Sequence, residues 1–349
     1  AALFSLNSTR WHRSETCILK SLGYTSNTSL KKDYHMNKLN RFISELFREI
    51  CDVVWSLYKI MIPMLICVKI AEELGAISIL SDWLSPLMTL LGLPEEMGLV
   101  WATTILTNIY AGLLVFMDSG VSLTVAQASV LGTLLLFAHS LPLEAAITKK
   151  AGVSFSLSII FRVVCGVVFA FVLHKLYQGL GVFEQQAQVV FQLTPTQDQS
   201  YLAWTWDQIK NLMVIFVIIA CMLLALKIMR LIGVERLLTR LLKPFLKVIG
   251  ISPKATNMTM IGITLGISFG GALLINEAKR GQIPKRDVFS AVMLLNLSHS
   301  MIEDTILLLL IGADFISIFW GRLIFSLVVV AIISHGLQTI ESWKIRKAI

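Results

Sequence analysis

Apolar residues run through this chain in long blocks, with polar residues at the block ends and, at a few positions, in the middle. From residue 50 the blocks come in a fixed order: a long helix (50–72), a shorter amphipathic segment (77–92), a glycine-interrupted apolar stretch (97–118), a long helix with a polar centre (123–148) and a closing long helix (153–176). The same order returns at 209–231, 234–249, 255–277, 287–311 and 314–337. Several blocks reach the roughly 20 apolar residues that a helix needs to cross a bilayer core. Single residues repeat with the blocks. Gly75, Pro86, Gly92 and Gly112 recur 158 residues later as Gly233, Pro244, Gly250 and Gly270. After a two-residue slip, His139-Ser140, Glu144, Gly152, Phe155 and Arg162 recur 160 residues later as His299-Ser300, Asp304, Gly312, Phe315 and Arg322. A membrane chain that contains itself twice has the build of many secondary transporters, whose substrate site lies where the copies meet.

Composition supports a membrane chain: 56% of residues are hydrophobic, 15% are charged and mean hydropathy is +0.75, against about 25% charged in soluble proteins. A length of 349 residues accommodates two related membrane halves and leaves no room for a separate soluble catalytic domain. The net charge of +8 does not point to nucleic acid, because the basic residues sit at helix ends, where they orient the chain in the bilayer. Cys17, Cys51, Cys67, Cys165 and Cys221 form no CxxC and no metal-ligand spacing, and four of them read as packing residues in apolar runs. Residues 1–35 are rich in Ser, Thr and Asn and lack the apolar core of a signal peptide. They read as a disordered extension ahead of Met36, with a regulatory tail as the alternative. The expected organisation is then a first repeat over 36–178, an external loop over 179–208, a second repeat over 209–340 and a cytoplasmic tail over 341–349.

Lysine and arginine decide how often each copy crosses. From Ile70 to Thr148 there is neither, although Glu72, Glu73, Asp82, Glu95 and Glu96 are present; the matching part of the second copy carries Arg236, Arg240, Lys243, Lys247 and Lys254. Equivalent segments with opposite charge bias belong on opposite sides of a membrane. The copies are therefore expected to be inverted, with an odd number of crossings each. Three transmembrane helices, an interfacial helix and a re-entrant hairpin per copy satisfy this. Lys38, Arg41 and Arg48, and at the other end Lys344, Arg346 and Lys347, place both termini in the cytoplasm. The predicted fold is an all-α polytopic membrane protein with two inverted-topology repeats.

Hairpin tips expose backbone groups at membrane depth, which is tolerated where they are buried in protein or line a wet cavity. The expected tips are Thr107–Gly112, with Asn108, and Gly266–Gly271, with Ser268. The polar centres of the fourth blocks read AHSLPLEAA (138–146) and SHSMIEDTI (298–306). His139 lies about ten residues from Lys149 and His299 about twelve from Asp287, which at about 1.5 Å per residue puts both near the bilayer midplane. Pro142 is expected to break the first of these helices. Glu144, Glu303 and Asp304 follow the two histidines, and ionisable groups at this depth are functional candidates. Three uses follow from these residue types: hydrogen bonding to a polar solute, carriage of a coupling proton, or capture of a divalent metal. Arg162 and Arg322 are expected to pair with the carboxylates in the bundle, with contact to an anionic substrate as the alternative.

The order helix, interfacial helix, hairpin, broken helix and helix, twice over, resembles the Gate or nucleoside-recognition family of membrane proteins. Its fold is shared with concentrative nucleoside transporters, the membrane core of ferrous-iron transporters and spore-maturation membrane proteins. The resemblance covers residues 50–340 and implies a multi-pass protein of the bacterial inner (cytoplasmic) membrane. It implies a solute site at Asn108 and Ser268 on the tips, with His139, Ser140, Glu144, His299, Ser300, Glu303 and Asp304 in the broken helices. The Gln-Thr-Glu and Ser-Val-Leu-Ala type strings of true nucleoside transporters are absent, as is the GTPase domain of the iron transporters.

The leading expectation is a secondary transporter for a small polar solute, with nucleosides and nucleobases as candidates and H+ or Na+ as the coupling ion. A divalent metal permease and a non-transporting membrane partner are the alternatives. No nucleophile–base motif or phosphate-binding loop suggests an enzyme, no cofactor is called for, and a homo-oligomer is open.

Overall fold

The structure is a computed structural model, and it describes residues 28–190, 200–267, 275 and 283–348. It divides into two compact units, residues 1–53 and 54–349. The described part of the first is helical, including residues 28–35, which had been assigned to the disordered extension. Residues 1–27 of that extension lie outside the described residues.

The described elements are almost all helical. They are α1 (Thr28–Glu73), α2 (Ala76–Leu90), α3 (Met97–Leu106), α4 (Ile109–Ser119), α5 (Val125–Phe137), α6 (Leu141–Lys150) and α7 (Phe155–Leu180). Then come α8 (Tyr201–Ile232), α9 (Val234–Val248), α10 (Pro253–Leu265), α11 (Lys285–Ser298) and α12 (Met301–Leu309). A π-helical turn (Ile316–Gly321) leads into α13 (Arg322–Ala348). Helix α8 begins at Tyr201, within the stretch read as an external loop (179–208).

Among the described residues, five stretches are long and apolar enough to cross a membrane, and α5 with α6 makes a sixth that is bent by 40°. What these helices turn outward is apolar. On α7, Leu157, Ile160, Val164, Val168, Val172 and Leu176 form one exposed stripe at helical spacing, while Arg162, Cys165, Phe169 and Leu173 face inward. Monomeric soluble proteins rarely expose apolar patches beyond a few hundred Å². An apolar outer face of this extent, around an interior that also buries Arg162 and Arg322, belongs to a protein embedded in lipid.

The sequence repeat has a conformational counterpart. Gly75 and Gly233, Gly92 and Gly250, and Gly152 and Gly312 all have positive φ. Helix α5 packs along α7 as α11 does along α13, and α3 meets α6 as α10 meets α12. The broken helices α5–α6 and α11–α12 run in opposite directions. The segment after α7 ties the start of one to the end of the other: Ala187 N–H donates to the Leu123 carbonyl at 2.8 Å and Val190 N–H to the Leu310 carbonyl at 2.9 Å.

Helices α3 and α4 fold back on one another at Thr107–Asn108. A Cβ on Gly112 would lie 3.3 Å from the Val100 carbonyl oxygen, twelve residues earlier in the chain, and only 1.8 Å from Thr104 Oγ1. Only glycine permits this approach. Asn108 starts α4 as its N-cap, its Oδ1 accepting from the Ala111 N–H at 2.9 Å. In the second copy the corresponding tip is described only to Gly266 and Ile267, so Ser268 lies outside the described residues.

Candidate functional site

Both broken helices are interrupted at the same place and by the same means. Ser140 and Ser300 adopt the left-handed conformation, with φ 49 ψ 31 and φ 47 ψ 34, and each precedes the second half-helix. The break does not come from Pro142, as the sequence suggested. That proline sits in the first turn of α6, where no N–H is missed, and the second copy breaks without one. What the copies share is a His-Ser pair whose serine leaves the helical region.

Arginines hold the ends of the first half-helices. Arg162 Nε donates to the Phe137 carbonyl at 2.7 Å and Nη2 to the His139 carbonyl at 3.1 Å. Arg322 repeats this with the Leu297 carbonyl at 2.8 Å and the His299 carbonyl at 3.1 Å. It also crosses to the first copy, reaching the Leu136 carbonyl at 3.3 Å. Helix C-termini leave carbonyls unpaired and carry about half a negative charge, so a guanidinium suits them twice over. Both arginines are essentially inaccessible, at 1% and 0% exposure. Arg162 also binds Glu144 directly through Nη1, the expected ion pair. The counterpart is looser: Arg322 Nη1 lies 3.9 Å from Asp304 Oδ2, beyond hydrogen-bond reach.

The two interruptions lie side by side, so the histidines that precede the serines meet. His139 Nε2 and His299 Nε2 are 2.9 Å apart, though 160 residues separate them in the chain. Their carboxylates close around them: Glu144 Oε2 is 3.2 Å from His299 Nε2, Glu144 Oε1 is 3.5 Å from His139 Nε2, and Asp304 Oδ2 is 3.8 Å from His139 Nε2. All four side chains are buried. The first hairpin tip borders the break, with Ser140 N–H donating to the Thr104 carbonyl at 3.0 Å and Ser140 Oγ to the Thr107 carbonyl at 2.7 Å. Gly266 lies close to Ser300, whose Oγ is 2.9 Å from where a Cβ on that glycine would be.

Of the residues singled out in the sequence, His139, Glu144, His299 and Asp304 form one cluster with Arg162 and Arg322 behind it. Ser140 and Ser300 shape the breaks. Glu303 is held off to the side of Asp304, accepting from the Tyr110 hydroxyl at 3.3 Å. Asn108 serves as a helix cap, but its Nδ2 is buried without a partner, as are Asp304 Oδ2 and Arg322 Nη1. Three contributors escaped the sequence reading. Tyr110 ties the first hairpin to the second copy. Asn296 Nδ2 donates to Ser158 Oγ at 3.0 Å, which in turn contacts Thr148 Oγ1 at 2.7 Å, joining α11, α7 and α6. The Leu135 and Leu295 carbonyls fix the two imidazoles. Tyr110 and Asn296 could have been noticed as polar side chains inside apolar blocks; the carbonyls have no signature in sequence.

No family model matches the chain, and no solved structure matches it. It is similar to an uncharacterized membrane protein of Bacillus subtilis (strain 168), YvoD, with 24% identity over 298 residues, which cover 84% of this chain and 93% of that protein. The likeness and the lipid-facing surface agree that this chain is a helical integral membrane protein.

Proposed function

We propose that the chain is a secondary transporter that carries a small hydrophilic solute, organic or ionic, through the interface between its two copies. The observation that carries this reading is the meeting of His139 and His299 at 2.9 Å, one from each copy, inside a cage of two carboxylates and two arginines. A protein that only docked to a membrane partner has no need of six ionisable groups buried between its halves, since each is costly to place there. Asn108 Nδ2, Asp304 Oδ2 and Arg322 Nη1, which have no hydrogen-bond partner among the described residues, add hydrogen-bonding capacity.

In this reading the copies are inverted repeats of three spans each, the α3–α4 hairpin is re-entrant, and both termini face the cytoplasm. The opposite course of the two broken helices and the opposite charge of α2 and α9 support it. Nucleosides and nucleobases are candidate solutes through the resemblance to the nucleoside-recognition family, and H+ or Na+ is the candidate coupling ion. The test is uptake into proteoliposomes of a panel of nucleosides, nucleobases, organic acids and divalent metals, with His139→Ala/His299→Ala as control. Saturable uptake of one class, lost in the double variant, is expected. No uptake of any class by protein that remains folded would overturn the reading.

A further inference from the structure

The two imidazoles at the centre of the site face each other through their Nε2 atoms. His139 Nδ1 lies 2.9 Å from the Leu135 carbonyl oxygen and His299 Nδ1 lies 2.7 Å from the Leu295 carbonyl oxygen. A carbonyl only accepts, so each Nδ1 carries its ring's proton, and in the neutral ring each Nε2 presents a lone pair. Those lone-pair nitrogens stand 2.9 Å apart. Glu144 and Asp304 turn carboxylate oxygens on the same point, at 3.2 Å to 3.8 Å from the nitrogens. Electron-pair donors gathered in this way repel one another unless a cation lies among them. A proton between the nitrogens would account for their contact, but not for Asp304, whose Oδ2 is buried and has no hydrogen-bond partner.

We propose that His139 Nε2, His299 Nε2 and Asp304 Oδ2, with Glu144 as a fourth donor, bind one divalent transition-metal ion. This rests on the reading of the cluster as the place where a solute is held, and it names that solute. The donor atoms of His139, His299 and Asp304 all lie within 4.8 Å of one another. At metal–imidazole distances of about 2.0–2.1 Å, nitrogens 2.9 Å apart subtend roughly a right angle at the ion. That angle fits five or six ligands better than a closed tetrahedron, and leaves positions for water. Imidazole with carboxylate suits transition ions such as Mn2+, Fe2+, Co2+ or Zn2+ and is a poor set for Mg2+ or Ca2+, which prefer oxygen alone. Donation of the distal ring N–H to a backbone carbonyl is how metal-binding histidines are held in the correct tautomer. Arg322 does not compete for Asp304, because its hydrogen bonds go to the carbonyls of Leu136, Leu297 and His299.

The experiment uses untagged full-length protein in nanodiscs, stripped with chelator and titrated with Co2+ and Zn2+ alone. One ion per chain is expected, with an X-ray absorption spectrum of the Zn2+ form that shows two imidazole nitrogens at about 2.0–2.1 Å. His139→Gln and His299→Gln should abolish saturable binding, Asp304→Asn should weaken it by more than the roughly 10–100-fold typical of losing an outer-shell partner, and His174→Gln, on α7 beside Gly92 and outside the cluster, should leave it unchanged. Folded wild-type protein that binds no ion, or an absorption spectrum with fewer than two imidazoles, overturns the proposal without any reliance on variants. Proteoliposome flux separates the two readings. Metal bound with no solute of any class moved upholds the site and overturns transport, whereas an organic solute moved with no metal bound does the reverse.

Discussion

Ser140 and Ser300 occupy the same left-handed backbone conformation to within a few degrees, at φ 49 and φ 47, although neither is glycine. Such a conformation costs an L-residue about 1–2 kcal/mol, and both serines carry it at the two points where the helices are interrupted beside His139 and His299. Replacement by glycine should relieve it. Ser300→Gly should raise stability by about 1 kcal/mol. Ser140→Gly should gain less, because it also loses the hydrogen bond to the Thr107 carbonyl. Thermal unfolding of both variants in one detergent checks the order.

Gly112 is the close-contact point of the first hairpin. Gly112→Ala drives a methyl onto Thr104 and should destabilise the protein by about 1–3 kcal/mol. Thr104→Ala in the same chain removes the nearest atom, Oγ1 at 1.8 Å, but leaves Thr104 Cβ at 3.1 Å, so rescue should be partial. Full rescue in unfolding measurements would mean that the helices do not approach so closely.

Arg162 and Glu144 form a buried pair, and breaking such a pair from one side leaves an uncompensated charge. Arg162→Met should destabilise by about 3–5 kcal/mol. Adding Glu144→Gln should recover part of this, since the stranded carboxylate is then neutral. A double variant less stable than Arg162→Met alone would contradict the pairing.

Asn108 has two ends with different tasks. Asn108→Ala removes the cap on α4 and should cost about 1 kcal/mol. Asn108→Ser keeps an accepting oxygen for the cap without adding a charge and should leave stability close to wild type, yet it deletes the Nδ2 donor. If Nδ2 contacts the solute, Asn108→Ser will weaken solute binding in a titration while the melting temperature holds.

Opposed copies predict opposed exposure. In a cysteine-free background, a cysteine at Glu184 should react with a membrane-impermeant maleimide on intact cells, whereas one at Arg236 should react only after permeabilisation. Labelling of both from outside would defeat the six-span arrangement.

Much of the site was legible because duplication writes its landmarks twice. His139 and His299, Glu144 and Asp304, and Arg162 and Arg322 stood out as pairs before any coordinates, and the Arg162–Glu144 contact followed from depth and charge. What could not be read was convergence: a spacing of 160 residues says that two histidines are equivalent, not that their nitrogens touch. Pro142 misled because proline is a visible breaker, while a serine entering the left-handed region leaves no trace in composition. The reach of Arg322 into the first copy, to the Leu136 carbonyl, depends on packing across the pseudo-symmetric junction and has no sequence signature.

The contact between His139 and His299 lies across the seam of the duplication, so neither half owns the site. A chain severed within residues 179–200 would yield two fragments, each with one imidazole, one carboxylate near it and one arginine. Either alone is half of a ligand set. Co-expressed, they are expected to re-form it, as the two partners of a heterodimer would.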